Sequence, residues 1–372
     1  MRRALILFSA LLIVGGCARS VGTPSTTPVA SVATSPREPS PVPTDTSTAS
    51  PTTEPVHRVA LREEDDVPYL LARRGAGFIA MGDHHFWVSG DGLAWDAGET
   101  SGLNGGVSRL VERGDGSLLA FGYASDPDEF RAWTSRDGRS WQMTDVGLPP
   151  EFVFIDIARG ERGYALVLRA LLDGASPEQI WFSSDAIEWE LVYSTTDDES
   201  LAAVGAGPEG FVAVGQHAFR TVSPPQAFVL ASADGRQWIT APDSAVLTAG
   251  RGFWSVVPLH GDWVTSAYSL GTKLPILWSP NGLDWEERTS FPIEPVDVGV
   301  IAYLASNGSR LFAALADGGG RPVQSNLLTS LDGISWTQTE IPFLARIGWR
   351  NTASAGGVDV FLVDGTVYLY RD

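Results

Sequence analysis

His84 and His85 stand side by side, a pair of imidazoles that in another arrangement would suit a metal ion. On an extended chain neighbouring side chains point to opposite faces, so this pair would not chelate one ion, and no Asp or His cluster accompanies it. Asp126, Asp128 and Glu129, and again Asp197, Asp198 and Glu199, offer the hard oxygen ligands that weak Ca2+ binding uses, although such runs also serve simply as solvated faces. Tyr303 would make a nucleophile only beside a carboxylate. Its neighbourhood, Val300-Ile-Ala-Tyr-Leu-Ala, has none, so it reads as a core or channel tyrosine. A nucleophile elbow, a phosphate loop and a dinucleotide fingerprint are all missing. The residues therefore give no catalytic group, no metal site and no cofactor beyond weakly bound Ca2+. What they do offer is recognition chemistry. Arg251, Trp254, Arg346, Trp349 and Arg350, joined by His84, His217 and Arg220, are types that anchor binding surfaces, and aromatic faces also suit sugars.

The single cysteine, Cys17, excludes an intramolecular disulfide and lies where an export signal would be cut. Met1-Arg2-Arg3 is a basic start and Ala4 to Val14 an apolar run of 11 residues. A bilayer span needs about 20, so residues 1–16 read as a cleaved signal. Val14-Gly15-Gly16-Cys17 resembles the bacterial lipobox, which implies diacylglyceryl transfer to the Cys17 thiol and cleavage before it. Two or more acyl chains make a stable anchor, which places the chain on the outer side of the cell membrane, held by lipid alone. Residues 17–56 follow as a stalk. Ala18 to His57 holds 24 Ser, Thr or Pro among 40 residues and no aromatic, too little apolar surface to offset the entropy of folding. Extended as polyproline II, a segment of this length reaches roughly 120 Å. The net charge of −18 repels phosphate backbones and anionic lipid surfaces, so nucleic acid is excluded as a partner.

Residues 57–372 repeat themselves. Ser89-Gly-Asp91-Gly-Leu-Ala-Trp95 recurs as Ser135-Arg-Asp137-Gly-Arg-Ser-Trp141, Ser183-Ser-Asp185-Ala-Ile-Glu-Trp189 and Ser232-Ala-Asp234-Gly-Arg-Gln-Trp238. The last copies are Ser279-Pro-Asn281-Gly-Leu-Asp-Trp285 and Ser330-Leu-Asp332-Gly-Ile-Ser-Trp336. Successive tryptophans lie 46, 48, 49, 47 and 51 residues apart, a period that suits the four-stranded blade of a β-propeller. In the turn the Asp carboxylate can accept backbone N–H groups, Gly can take a positive φ, and the Ser hydroxyl can bond across. Ala186 replaces Gly in the third copy, so that turn should be strained or of another type.

Each turn follows a short β-rich run, and two further apolar runs precede that one, giving four strands, a to d, from the centre outwards. A seventh b-strand at Val358 and c-strand at Gly365 end the chain without a d-strand. The segment from His57, which has no partner of its own, should supply it. The expected fold is thus all-β, a seven-bladed propeller of antiparallel blades closed by an N-terminal strand; six blades is the alternative. The b–c and d–a loops of a propeller share one face. Long b–c loops near 122–130, 168–179, 216–226 and 267–275, against short ones in blades one and seven, make that face lopsided. The recognition residues named above fall at its inner rim, although Trp254 and Trp349 could equally pack blades.

The repeated turn resembles the Asp-box, or BNR repeat, of sialidase-type propellers, whose usual form S-x-D-x-G-x-T-W is one residue longer. The resemblance implies that each Ser, Asp or Asn, and Trp of the box is structural and lies away from the ligand face. A sialidase would also need an early R-I-P arginine motif, which is missing, and Arg73 and Arg74 end the first a-strand at the wrong face. The expected function is therefore a lipid-tethered monomer whose propeller binds or scaffolds an envelope glycan or protein without catalysis. A divergent sialidase-like glycosidase is the alternative.

Overall fold

A computed structural model describes residues 57–63, 66–124, 129–170, 177–217, 226–248, 251–269, 273–292, 299–317, 326–342 and 352–371. The signal, Cys17 and the stalk lie outside these. The described chain forms strands and turns with no helix, so no described helix could cross a membrane.

β1 (His57–Ala60) stands apart at the start. Blade one comprises β2 (Leu70–Arg74), β3 (Gly77–Met81), β4 (His85–Ser89) and β5 (Asp96–Glu99). Blade two comprises β6 (Gly105–Glu112), β7 (Leu118–Ala124), β8 (Phe130–Ser135) and β9 (Gln142–Thr144). Blade three is β10 (Phe152–Gly160), β11 (Gly163–Ala170), β12 (Glu178–Ser183) and β13 (Glu190–Ser194). Blade four is β14 (Glu199–Gly207), β15 (Gly210–His217), β16 (Gln226–Ser232) and β17 (Ile239–Thr240). Blade five is β18 (Arg251–Leu259), β19 (Asp262–Ser269), β20 (Lys273–Ser279) and β21 (Glu286–Pro292). Blade six is β22 (Gly299–Ser306), β23 (Leu311–Asp317), β24 (Asn326–Ser330) and β25 (Thr337–Pro342). Blade seven takes β26 (Thr352–Ala355), β27 (Val358–Val363) and β28 (Thr366–Arg371) from the C-terminus and β1 from the N-terminus, in the order β1-β28-β27-β26. The molecule is a seven-bladed β-propeller with four antiparallel strands in every blade. Among the described residues the laddered part of the closing strand is His57–Ala60, set opposite Leu369 to Thr366.

First strands meet first strands across the blades, β2 with β6, β10 with β14, β14 with β18, β18 with β22, and β26 with β2, so they line the centre. The core is divided the same way. Each of seven apolar clusters joins two successive blades, including blade seven to blade one through Leu61, Leu71, Val360, Leu362 and Leu369. A four-stranded sheet has two faces to cover, and here each face is covered by a neighbour. Leu61, 4% exposed, extends the closing strand into the seam, and its N–H donates to the Gly365 carbonyl at 2.7 Å.

The inner strands are of two kinds. β6, β10, β14, β18 and β22 have eight or nine residues. Each carries a register shift at the same place, at Ser108, Ile155, Ala202, Trp254 and Ala302. β2 and β26 have only five and four residues and pair without a break. Their blades also have the tight b–c turns. Besides the four long b–c connections read from the sequence, blade six has one between β23 and β24, which that reading passed over.

Removing residues 57–61 should strip blade seven of its outer strand and uncover the seam to blade one. The thermal midpoint should fall by roughly 5 °C or more, and a midpoint equal to that of the intact chain would show that closure does not depend on this strand.

Candidate functional site

Of the residues expected at the loop face, His84, His217, Arg251 and Trp254 are described, whereas Arg220, Arg346, Trp349 and Arg350 lie outside the described residues. His217 ends β15, its ring edge-on to Phe228 with centroids 4.6 Å apart. Arg251 begins β18 in the next blade. The two strands approach closely there, since a Cβ on Gly252 would lie 2.7 Å from Oε1 of the buried Gln216. The fold thus brings His217 and Arg251 to one blade boundary. Trp254 follows as the bulged residue of β18. It is 47% exposed, which for so large an apolar side chain in an innermost strand is a surface offered rather than packed. Bulges of this kind re-aim a side chain at a rim. His84 belongs to blade one and does not join this group. It is exposed in the turn between β3 and β4.

That turn is held by a residue the sequence did not single out. Asp66 accepts N–H groups from Asp83 (3.0 Å), His84 (2.8 Å) and His85 (2.7 Å), and its Oδ2 lies 3.2 Å from His85 Nδ1. Burial works to raise the Asp66 pKa, but the three amides outweigh it and hold the carboxyl below its usual range. Nearby Tyr69 is pushed up by burial and by the Asp83 charge. No repeat marks Asp66, so only its position before blade one could have hinted at it.

The acidic runs are partly used up internally. Glu199 accepts the Thr196 N–H at 2.9 Å and the Tyr193 hydroxyl at 3.4 Å, while Asp197 and Asp198 are exposed. Glu129 pairs with Arg131, and Asp126 and Asp128 lie outside the described residues. Buried Glu178 takes Arg169 Nε at 2.6 Å, Ser200 Oγ at 3.2 Å and the Leu201 N–H at 2.5 Å. Among the described residues no three His, Cys, Asp or Glu groups converge as a metal site.

The six repeated turns lie between the third and fourth strands of blades one to six, at the opposite face. In the second copy Ser135 Oγ accepts the Gly138 N–H at 2.9 Å and donates to Asp137 Oδ1 at 2.9 Å. The same oxygen accepts the Arg139 and Ser140 N–H groups, each at 2.8 Å. Asn281 Oδ1 receives the corresponding pair at 2.9 Å in the fifth copy. In five copies the Trp Nε1–H donates to the turn Gly carbonyl, at 2.7–3.1 Å.

The turn Gly is required twice over. At Gly235 φ is +80°, and a Cβ would stand 2.2 Å from Phe182 of the preceding blade. Phe182 is fully buried, edge-on to Phe211 and capped by the Arg236 guanidinium, so it has nowhere to move. Gly333 sits equally close to Trp278. Each turn therefore seals its blade against the one before. Ala186 makes the same turn at φ +65°, so the third copy is strained rather than of another type. Its Trp189 Nε1 is the one buried side-chain polar atom without a partner among the described residues.

Two outcomes follow from this geometry. Gly235→Ala should destabilise the protein by about 2–4 kcal/mol in denaturant unfolding, from combined overpacking and backbone strain. A loss under about 0.5 kcal/mol would mean that Phe182 relaxes freely. Acid is the second probe. The Ser140 amide, with that of Arg139, holds the Asp137 carboxyl below its usual range, and turn amides do the same for Asp91 and Asp234. A carboxyl lowered by folding stabilises the protein above its unfolded pKa of about 3.9 and loses that contribution as pH falls through the folded value. Stability should therefore decline below about pH 4. Asp137→Asn, the residue type native at 281, should fold normally and make that decline shallower; an unchanged acid profile would contradict the assignment.

Comparison with solved structures agrees with this architecture. The chain is similar to streptogramin B lyase, with a TM-score of 0.55 and 10% identity over 85% of this chain and 97% of that one. It is equally similar to selenomethionine-substituted virginiamycin B lyase from Staphylococcus aureus, with TM-score 0.55, 10% identity and coverage of 85% and 98%. A catalytically inactive form of that lyase with quinupristin gives a TM-score of 0.54 at the same identity and coverage. At such identity the likeness shows the shared propeller fold. No family model and no curated protein matches the sequence.

Proposed function

We propose that this chain is a lipid-anchored surface protein whose propeller binds a glycan or protein of the cell envelope, without catalysis, through the face that carries the b–c and d–a connections. The observation that carries the reading is the division of the inner strands. Five long, bulged strands with long b–c connections stand against two short, regular ones, and an exposed Trp254 lies at one of the bulges. Such a face would leave a groove open toward blades one and seven.

The non-catalytic part draws support from the carboxylates. Asp66, Asp156 and Glu178, all buried, accept backbone N–H groups, and Asp359 is held by Asn307 and Ser354. Carboxyl oxygens held by fixed backbone and side-chain donors are committed to structure rather than to proton transfer or attack. The repeated turns support kinship with Asp-box propellers, in which the box has a structural role. Cys17 would carry the lipid, the stalk would set the distance from the membrane, and the protein would act as a monomer.

The test is a glycan-array and pull-down screen with residues 57–372, beside an Arg251→Ala/Trp254→Ala double variant. A ligand held by the parent and lost by the folded variant is the expected result. Turnover of a bound sugar would replace the binding reading with a glycosidase. Labelled lipid still incorporated by a Cys17→Ser full-length chain would remove the anchor.

A further inference from the structure

We propose that the other mouth of the central channel, where the a–b turns converge, is a second recognition site, for a polyhydroxylated ligand bearing a carboxylate or phosphate. It is independent of the loop-face reading. A cavity of about 850 Å³ opens there, within the ~300–1,000 Å³ of small-molecule sites. Its charged lining is Arg73, Arg109 and Arg159, from the inner strands of blades one, two and three, with Glu112 and Glu161. Three arginines against two glutamates give this opening a formal charge of +1, in a chain whose net charge is −18.

The arginines are braced from below. Glu112, whose side chain is 9% exposed, accepts Arg159 Nη1 at 3.1 Å and the Gly75 N–H, and stands 3.9 Å from Arg73 Nε. Arg159 Nη1 also reaches the Glu112 carbonyl at 3.0 Å, and Arg73 Nε donates to the Gly75 carbonyl at 2.8 Å. Arg109 Nη2 lies 3.8 Å from Asp156, itself 7% exposed and fixed to the Val204 N–H at 3.1 Å. Glu112 and Asp156 are thus buried and Glu161 is exposed, while the Arg73 and Arg159 side chains are 61% and 41% exposed. A guanidinium carries five N–H donors, and these contacts occupy the minority of them. The rest are available to a planar or tetrahedral oxyanion, which Arg binds in forked pairs.

Across the cavity, blades six and seven present neutral polar groups on the same plan. Buried Asp359 accepts Asn307 Nδ2 at 2.8 Å and Ser354 Oγ at 2.5 Å, and Asn307 Oδ1 accepts the Ser309 and Arg310 N–H groups, which leaves one Nδ2 hydrogen and the Ser354 oxygen to face the lining. Cations on one wall and fixed hydrogen-bonding groups on the other suit an acidic group at one end of a polyol. A sugar acid and a polyol phosphate share that chemistry.

Isothermal titration of the mature chain with an oligogalacturonate, with an oligomeric glycerol phosphate, and with a neutral oligosaccharide of equal length tests the site. One or both anions should bind, more weakly at high salt, and the neutral sugar should not. Which anion binds identifies the source of the charge. Arg109→Gln/Arg159→Gln should weaken that binding at least about tenfold while loop-face binding and thermal unfolding stay unchanged. Should that variant unfold, Arg159→Lys keeps the charge and removes the fork, and it should still weaken binding several-fold. Absence of binding by both anions, binding equal to that of the neutral sugar, or full affinity in the folded arginine variants would overturn the proposal.

Discussion

Between every two successive blades lies a dry seam of apolar side chains, and the rest of the molecule depends on those seams being complete. A single blade is a sheet of four short strands with both faces apolar, and it is stable only between two others. Six seams follow from chain order alone. The seventh, between blades seven and one, exists because His57–Ala60 pairs with β28 and brings Leu61 into the gap. The pairing also removes the exposed edge that β28 would otherwise present. The ring is thus closed by the first described segment of the chain.

The repeated turn makes the seams narrow. Its Ser and Asp hold the backbone so that a Gly with positive φ lies directly under a large side chain of the preceding blade, as Gly235 does under Phe182. One face of the ring is therefore built from short, internally hydrogen-bonded connections. The other face carries the long connections and is where sequence can vary without disturbing the seams. Rigid scaffold and variable loops are thereby separated onto opposite ends of the same strands.

Much of this was legible beforehand because a repeat reports architecture directly. The spacing of Trp95, Trp141, Trp189, Trp238, Trp285 and Trp336 marks the blades, and the unpaired segment at His57 marks the closure. What could not be read were contacts made only by the assembled ring. Asp66 has no counterpart in the repeat, and its role arises because the turn Asp83–His85 folds over it. Glu112 and Arg159 are 47 residues apart and meet only across a blade boundary. The bulges of the inner strands leave no mark in the alternation of apolar residues, so the sequence could not decide whether Trp254 faces the rim or packs between blades. His84 and His217, both expected at one rim, belong to blades one and four, so the ring sets them apart.

Recognition in this molecule would rest on positions set by the ring. Arg251 and Trp254 at one mouth, and Arg73, Arg109 and Arg159 at the other, come from strands held in place by both neighbours, which favours preorganised rather than adaptive binding. All of it presupposes a ring closed by the N-terminal strand. Native-state hydrogen exchange on the full chain, followed for the peptide spanning residues 57–61, tests that most directly. Closure predicts protection of this peptide matching that of the β27 and β28 peptides, lost only with global unfolding. Exchange at the rate of a free terminus, with β27 and β28 still protected, would contradict it.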